Sequence, residues 1–244
     1  MCTASWNIDK EGLRLFFNRD EQRTRSAAVP PRFFESEGVR YVAPIDPDGG
    51  GTWISVNEFG QVAYLLNNYS KTTEGERFKS RGELPIKLAA CSQRSEALGI
   101  ICSLKLTDYR PFFLGLANRE SLEIFGWDGC NLESIHPDLP VITTSSFRSD
   151  EVQKYRKDRY RYWMGSAGGN STEKQRRFHF ETSDSDSAFG PMMYRPDART
   201  QSVTWLDVSS ESVVLSYQEI LEEKSKLEEP IVLNCKIRKE SLAR

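Results

Sequence analysis

The chain opens Met1-Cys2. Removal of Met1 leaves a cysteine that carries its own free α-amino group, so one residue holds both a nucleophile and a base. The thiolate is the reactive form of cysteine, and an α-amino group with an ordinary pKa of roughly 7.7–8 is suited to take the thiol proton. Such an N-terminal-nucleophile arrangement needs no separate histidine. With Met1 retained, the free amine sits one residue from the thiol and that base is lost. A cysteine in second place also arises by chance, so the reading rests on the elements that position it.

Residues 3–8 and 13–19 alternate polar and apolar, and between them lies the polar segment Asp9-Lys10-Glu11-Gly12. That pattern signals a hairpin. A loop of two or four residues pairs Ile8 with Leu13, Trp6 with Leu15, Ala4 with Phe17 and Cys2 with Arg19. All eight side chains then share one face, because strand side chains repeat every two residues. The face is apolar until its open end, where a cysteine meets an arginine. A guanidinium within about 4–6 Å favours the thiolate and lowers its pKa. A three-residue loop instead sets Cys2 opposite Asp20, and Arg19-Asp20 also reads as an ordinary charged strand end.

Met1-Cys2-Thr3 followed by Phe17-Asn18-Arg19-Asp20-Glu21 resembles the NRDE family, which includes the transport and Golgi organisation 2 proteins. Its members begin Met-Cys and carry Asn-Arg-Asp-Glu at the end of the second strand. The family in turn looks like the cysteine N-terminal-nucleophile (Ntn) hydrolases, such as penicillin V acylases and bile-salt hydrolases. The resemblance implies Cys2 as nucleophile, with Arg19 and Asp20 as its partners. The closer spacing here leaves Asp20 and Glu21 as alternatives, and Asn18 and Glu21 are candidate binding residues. Asn57-Glu58-Phe59-Gly60, followed by Leu66-Asn67-Asn68-Tyr69, is similar to the same hydrolases. There the asparagine of the Leu-Asn pair helps form the oxyanion hole, which assigns that role to Asn67 and a binding role to Asn68. An amide N–H is a neutral donor able to meet charge developing on an acyl oxygen. Both asparagines also suit a strand end and turn.

Ser80-Arg81-Gly82 matches the family as well and reads as a structural loop arginine. The block from Met192 to Ser202 resembles the family's Met-x-Arg-x-Asp-Ala-x-Thr-x-Ser run, with His179 at a position where members often have histidine. Arg195 has the fork that binds carboxylates or phosphates, or it pairs with Asp197. One departure stands out. Many hydrolase relatives carry a second catalytic asparagine where this chain has Thr143-Thr144-Ser145-Ser146-Phe147. A serine hydroxyl is the candidate substitute.

At 244 residues the chain can bury a substantial core as one domain, 1–244. Its net charge of −2 gives no electrostatic reason to expect nucleic acid or an anionic membrane as partner. No apolar run approaches the ~20 residues of a membrane span, and no signal-peptide pattern is present, so a cytoplasmic location is expected. Five cysteines (Cys2, Cys91, Cys102, Cys130, Cys235) without Cys-x-x-Cys spacing, and only two histidines, His136 and His179, do not make a zinc cage. No metal or other cofactor is expected. The four later cysteines read as reduced, partly buried small hydrophobes.

Further along, Pro30-Pro31 marks a loop, and Gly49-Gly50-Gly51 reads as a turn or a tight backbone approach at the mouth of a site. A second hairpin spans 52–67, a helical pattern covers 86–101 and breaks near Gly99, and strands follow at 100–106, 112–116, 122–127 and 141–145. A charged helix over 150–163 is expected with Ser149 as N-cap and its charges solvated. Residues 165–175 read as loop, then a strand over 203–208, a charged helix near 218–228 and a strand over 231–237. These elements give an α/β (α+β) class, and the resemblance implies the four-layer αββα sandwich of the Ntn-hydrolase type.

Two functions follow. In the first, Cys2 attacks the carbonyl of a small-molecule amide or acyl-thioester, as a hydrolase or acyltransferase. In the second, the chain is a binding or trafficking protein for haem, acyl-coenzyme A or lipid, as the Golgi-organisation relatives suggest through their association with lipid metabolism and haem handling.

Overall fold

The computed structural model describes residues 1–69, 78–183, 186–221 and 229–238. Its first hairpin pairs β1 (Cys2–Asp9) with β2 (Gly12–Gln22) around a two-residue turn, and places Cys2 opposite Arg19 as the alternation requires. Gly12 is obligatory there: its φ is +130°, and a Cβ would lie 2.0 Å from the carbonyl oxygen of Val208.

Four strands join this hairpin in the first sheet: β10 (Val141–Thr144), β11 (Ala198–Val208), β12 (Ser212–Glu219) and β13 (Ile231–Lys236), in the order β10-β1-β2-β11-β12-β13. The second sheet runs β3 (Val29–Ser36), β4 (Val39–Ile45), β5 (Ile54–Asn57), β6 (Val62–Asn67), β7 (Phe112–Ala117), β8 (Leu122–Trp127) and β9 (Leu132–Ile135), in chain order and antiparallel throughout. Ala4, Leu15 and Phe17 from one sheet meet Ile54, Tyr64 and Leu66 from the other in a buried inter-sheet core. Helices α1 (Glu83–Ala89) and α2 (Arg94–Ser103) cover the outer face of the second sheet through Leu84, Leu88 and Ile101. Helices α3 (Ser149–Gly165) and α4 (Ser171–His179) cover the first through Tyr160 and Phe178, which pack on Val141. The layers are therefore αββα. No helix among the described residues is long and apolar enough to cross a membrane.

Several local expectations change. The Pro30-Pro31 segment is strand, not loop, because β3 is an edge strand where a missing N–H costs no ladder bond. Gly99 lies inside α2, and residues 100–103 are helical rather than strand. The Gln93–Glu96 capping box and the buried pair Ala97 and Ile101 outweigh the ~1 kcal/mol penalty of one glycine. Residues 171–175 are helix, started by the Asn170 side chain, which accepts the Glu173 N–H at 2.9 Å. Ser149 is the first residue of α3, not its cap, which falls on Arg148. Gln218 and Glu219 belong to β12, while 222–228 of the expected charged helix lie outside the described residues. Cys102 and Cys130 are exposed, unlike the buried Cys91.

Candidate active site

Everything at the site hangs on the open end of the β1–β2 hairpin. Met1 and Asp20 exchange both backbone bonds, at 3.2 and 3.4 Å. In an antiparallel sheet the next residue then directs its own N–H and C=O to the other neighbour. For Cys2 that neighbour is β10, where it faces Thr144. The Cys2 side chain is 8% exposed and opens on a cleft of about 700 Å³, which Arg19, Glu21, Asp46, Trp53, Asn67 and Arg81 also line. The Met1 ammonium donates to the Tyr69 hydroxyl at 3.0 Å, and Asn67 Nδ2 donates to the same oxygen at 3.0 Å. Tyr69 thus ties the chain terminus to the second sheet.

Burial pushes the Cys2 thiol up, the adjacent Met1 ammonium pulls it down, Asp20 pushes it up, and burial prevails. The lowered thiol expected from Arg19 is therefore not found. Neutralisation explains the difference. Arg19 donates to Gln201 Oε1, lies 3.4 Å from Glu21 and 3.8 Å from Asp46, and stacks 4.4 Å from the centre of the Trp53 ring. For the Met1 ammonium, burial disfavours the charge, but Cys2, Tyr69 and Asp20 outweigh it and hold the group above its ordinary value.

Asp20 and Arg19 point to opposite faces, as successive strand residues must. The Asp20 carboxylate turns to the helical layer, where Oδ2 accepts from Arg156 Nη1 at 3.1 Å and Oδ1 accepts from Thr200 at 2.6 Å. Its backbone reaches the terminus; its side chain does not. Arg156 is fully buried and bonds Thr3 and Phe189 besides, correcting the expectation that the cations of α3 are solvated. Spacing carried the signal: Val152, Arg156 and Tyr160 form one inner stripe four residues apart.

Asn18 also faces the helices. It donates to the carbonyls of His179 and Pro191 at 2.8 Å each, and its Oδ1 lies 2.5 Å from His179 Nδ1. Burial, then the Arg156 charge, lowers the His179 pKa to about 3, so the ring is a neutral strut. Glu21 lines the cleft between Arg19 and Arg25. Asn68 faces away, donating to the Trp127 carbonyl at 3.2 Å and lining a second cavity of about 330 Å³. Arg195 does not line the cleft; it pairs with Asp197, stacks 4.6 Å from the Phe147 ring and reaches the Met1 sulfur at 3.7 Å. Met1 itself is buried beside Met193 and Ala198.

The stretch without the second asparagine supplies hydroxyls instead. Ser145 is engaged by Phe147 and the Met1 sulfur, whereas Thr144 Oγ1, on the strand position facing Cys2, is buried with no hydrogen-bond partner among the described residues. The glycine run has a defined use. A Cβ on Gly51 would lie 2.4 Å from the carbonyl carbon of Gly82, and Thr52 N bonds Gly82 O at 2.9 Å. The glycines let the Ser80-Arg81-Gly82 loop press against the strand and hold Arg81 in the cleft wall.

A family model described as Transport and Golgi organisation 2 matches residues 1–193. No curated protein sequence matches the chain. Among solved structures, the C2A mutant of conjugated bile acid hydrolase from Clostridium perfringens superposes with a TM-score of 0.53 at 12% identity, over 99% of this chain and 94% of that one. The Caenorhabditis elegans ortholog of N-acylethanolamine-hydrolyzing acid amidase gives 0.57 at 9% identity, over 84% of this chain and 92% of that one. What these two share with this chain is the fold.

Proposed function

The chain belongs to the transport and Golgi organisation 2 family and has the fold of the N-terminal-nucleophile hydrolases; from that premise we propose that it cleaves or transfers an acyl group, using Cys2 after loss of Met1. One observation carries the reading: a cysteine one residue from the chain terminus, on a central strand, opens on a cleft that also holds Asn67 and Arg19.

Loss of Met1 converts the Cys2 backbone nitrogen into a free amine on the β10 side, opposite Thr144, whose hydroxyl has no partner among the described residues. That amine takes the thiol proton, and sulfur attacks the acyl carbon of an amide or thioester. The carbonyl electron pair moves to oxygen, where an Asn67 N–H donates to it. Collapse breaks the C–N or C–S bond, the ammonium returns its proton to the leaving group, and a thioester on Cys2 remains. Water or an acceptor amine then resolves the thioester. Losing one oxyanion donor costs about 2.7–4 kcal/mol of transition-state stabilisation. Arg19 and Asp20 act as positioning residues, the first opposite the nucleophile on β2 and the second through its backbone N–H, which donates to the Cys2 sulfur and remains once Met1 is gone.

The test has two parts. The mass of the N-terminal peptide reports whether it starts at Cys2. Turnover on panels of acyl amides and acyl thioesters then has to vanish in Cys2→Ala. A chain starting at Met1 with no Cys2-dependent turnover sinks the reading. A second reading, a carrier for an apolar acyl or haem-like ligand, is favoured by the cavity that Phe113, Ile135, Pro137 and Ile142 line beside the terminus. Saturable binding that survives Cys2→Ala, without turnover, supports it.

A further inference from the structure

The cations of the Cys2 cleft fall into two groups. Arg19, Arg25 and Lys79 each hold an acid: Arg19 with Glu21 and Asp46, Arg25 with Asp46 and Glu21, and Lys79 with Asp108 at 2.7 Å. Arg81 and Arg110 line the same cleft and pair with no acid among the described residues. Arg81 donates Nη1 to the Pro111 carbonyl at 2.7 Å, which fixes the guanidinium and leaves its other N–H groups for a ligand. Arg110 is anchored differently, with its guanidinium 5.4 Å from the centre of the Phe78 ring. The Gly51–Gly82 contact presses the Arg81 loop into the wall, so the placement is built into the fold.

Arg81 is half-buried and Arg110 is exposed at the cleft; the two like charges repel each other, and an anion bound between them relieves both. Burial holds Arg81 below its ordinary value and the Arg110 charge adds to that, while Tyr69, Cys2 and Glu21 oppose it. The cleft acids Glu21 and Asp46 form their ion pairs with Arg19 and Arg25, and among the described residues neither reaches ion-pair distance of Arg81 or Arg110.

We propose that Arg81 and Arg110 form an anion subsite of the Cys2 cleft, and that its ligand is an acyl compound bearing a carboxylate or phosphate group. The substrate class rests on the acyl-transfer reading, but the subsite does not. A planar fork on each arginine suits either oxyanion, and the anion fixes the molecule with its acyl carbon toward Cys2. The Ser80-Arg81-Gly82 motif reads as a structural loop from sequence, and this gives its arginine a binding task as well.

The test uses two alkylating reagents with the same leaving group, iodoacetate (anionic) and iodoacetamide (neutral), on the full chain, with peptide masses reporting each cysteine. The ratio of the two rates at Cys2 is compared with that at exposed Cys102. The expected ratio is about tenfold higher at Cys2 at low ionic strength, falls toward the Cys102 value near 1 M salt, and drops at least about fivefold in Arg81→Gln/Arg110→Gln. Equal ratios at the two cysteines, indifferent to the double variant, overturn the proposal. If Cys2 reacts with neither reagent, inorganic pyrophosphate decides. It has to raise the thermal midpoint of the parent chain and not of the double variant, and no such difference overturns the subsite. A charge-dependent ratio without turnover of any acyl compound keeps the subsite and removes the acyl-transfer reading. Turnover of neutral acyl amides that ignores both arginines does the reverse.

Discussion

Asp20→Asn isolates the buried ion pair beneath the site. Asp20 Oδ2 and Arg156 Nη1 are 3.1 Å apart with both side chains 0% exposed. At an effective dielectric constant of about 20, two unit charges at that distance attract by about 5 kcal/mol. Asparagine keeps the shape and can still accept from Thr200, but it strands a guanidinium whose Nη2 already lacks a partner among the described residues. Breaking such a pair by removing one charge costs about 3–5 kcal/mol, a large part of the roughly 5–15 kcal/mol that holds a protein folded. With a urea slope near 3 kcal/mol per molar, the unfolding midpoint falls by about 1–1.7 M while the slope stays unchanged. Arg156→Met in the same background restores most of the loss, since an apolar side chain removes the stranded charge. A single-variant loss below about 1 kcal/mol, or a double variant equal to the sum of the singles, refutes the account. The assay also guards the functional tests, because lost turnover in Asp20→Asn has to be corrected for the folded fraction.

Four further outcomes follow from the same geometry. His179 is neutral in the fold with a pKa near 3, against 6.5 when unfolded, so its contribution is present above 6.5 and lost as pH falls toward 3; unfolding free energies from urea titrations at pH 7 and pH 5 should differ by about 2 kcal/mol from this residue, and His179→Gln should remove that difference. Cys2 is raised above 9.0, so in the Met1-bearing chain its alkylation at pH 8 lags that of Cys102; the neutral thiol stabilises the fold below the ordinary thiol range and ceases to as pH rises through the raised value, and equal rates at pH 8 would contradict this. Cys2→Ala abolishes Cys2-dependent turnover and moves the thermal midpoint by only about 2–4 °C, the equivalent of roughly 1 kcal/mol in a chain of this size; calorimetry checks that the fold survives. Gly51→Ala drives a Cβ into Gly82, costs about 1–3 kcal/mol by thermal unfolding, and lowers the iodoacetate preference at Cys2 by displacing Arg81; an unchanged midpoint would mean the loop yields freely.

The first hairpin was legible because alternation and a polar turn determine register without help from the rest of the chain. Cys2 against Arg19, and the apolar face from Ile8 to Phe17, came directly from that rule. The four layers needed the family resemblance, since no local pattern says which face of a strand meets a second sheet. Charge states were the least legible part. Arg19 was read beside Cys2 alone, whereas Glu21, Asp46 and Gln201 gather on it from three other chain positions. Asp20 was read as part of the nucleophile's surroundings, yet strand periodicity turns its carboxylate to Arg156, more than a hundred residues away in sequence. Arg81 looked structural because its cleft forms only when the glycine run packs against its loop. Tyr69 follows the asparagines in sequence with no task visible there, since its hydroxyl acquires meaning only against the folded terminus.

Burial of Met1 imposes an order of events. In the closed fold the residue is 7% exposed, its ammonium is held by Asp20 and Tyr69, and Met193 and Ala198 cover its side chain. An aminopeptidase needs that terminus extended in its own active site, so on the proposed mechanism trimming precedes closure of the sandwich or needs the terminus to open locally. The covering residues leave the ribosome about 190 residues after Met1, which at 5–20 residues per second is about 10–40 s of synthesis. Within that interval the nascent terminus is free; afterwards it is buried and hydrogen-bonded. On the proposed mechanism, a folded chain that kept its methionine gains a free cysteine amine only after Met1 is released from Asp20, Tyr69 and Met193.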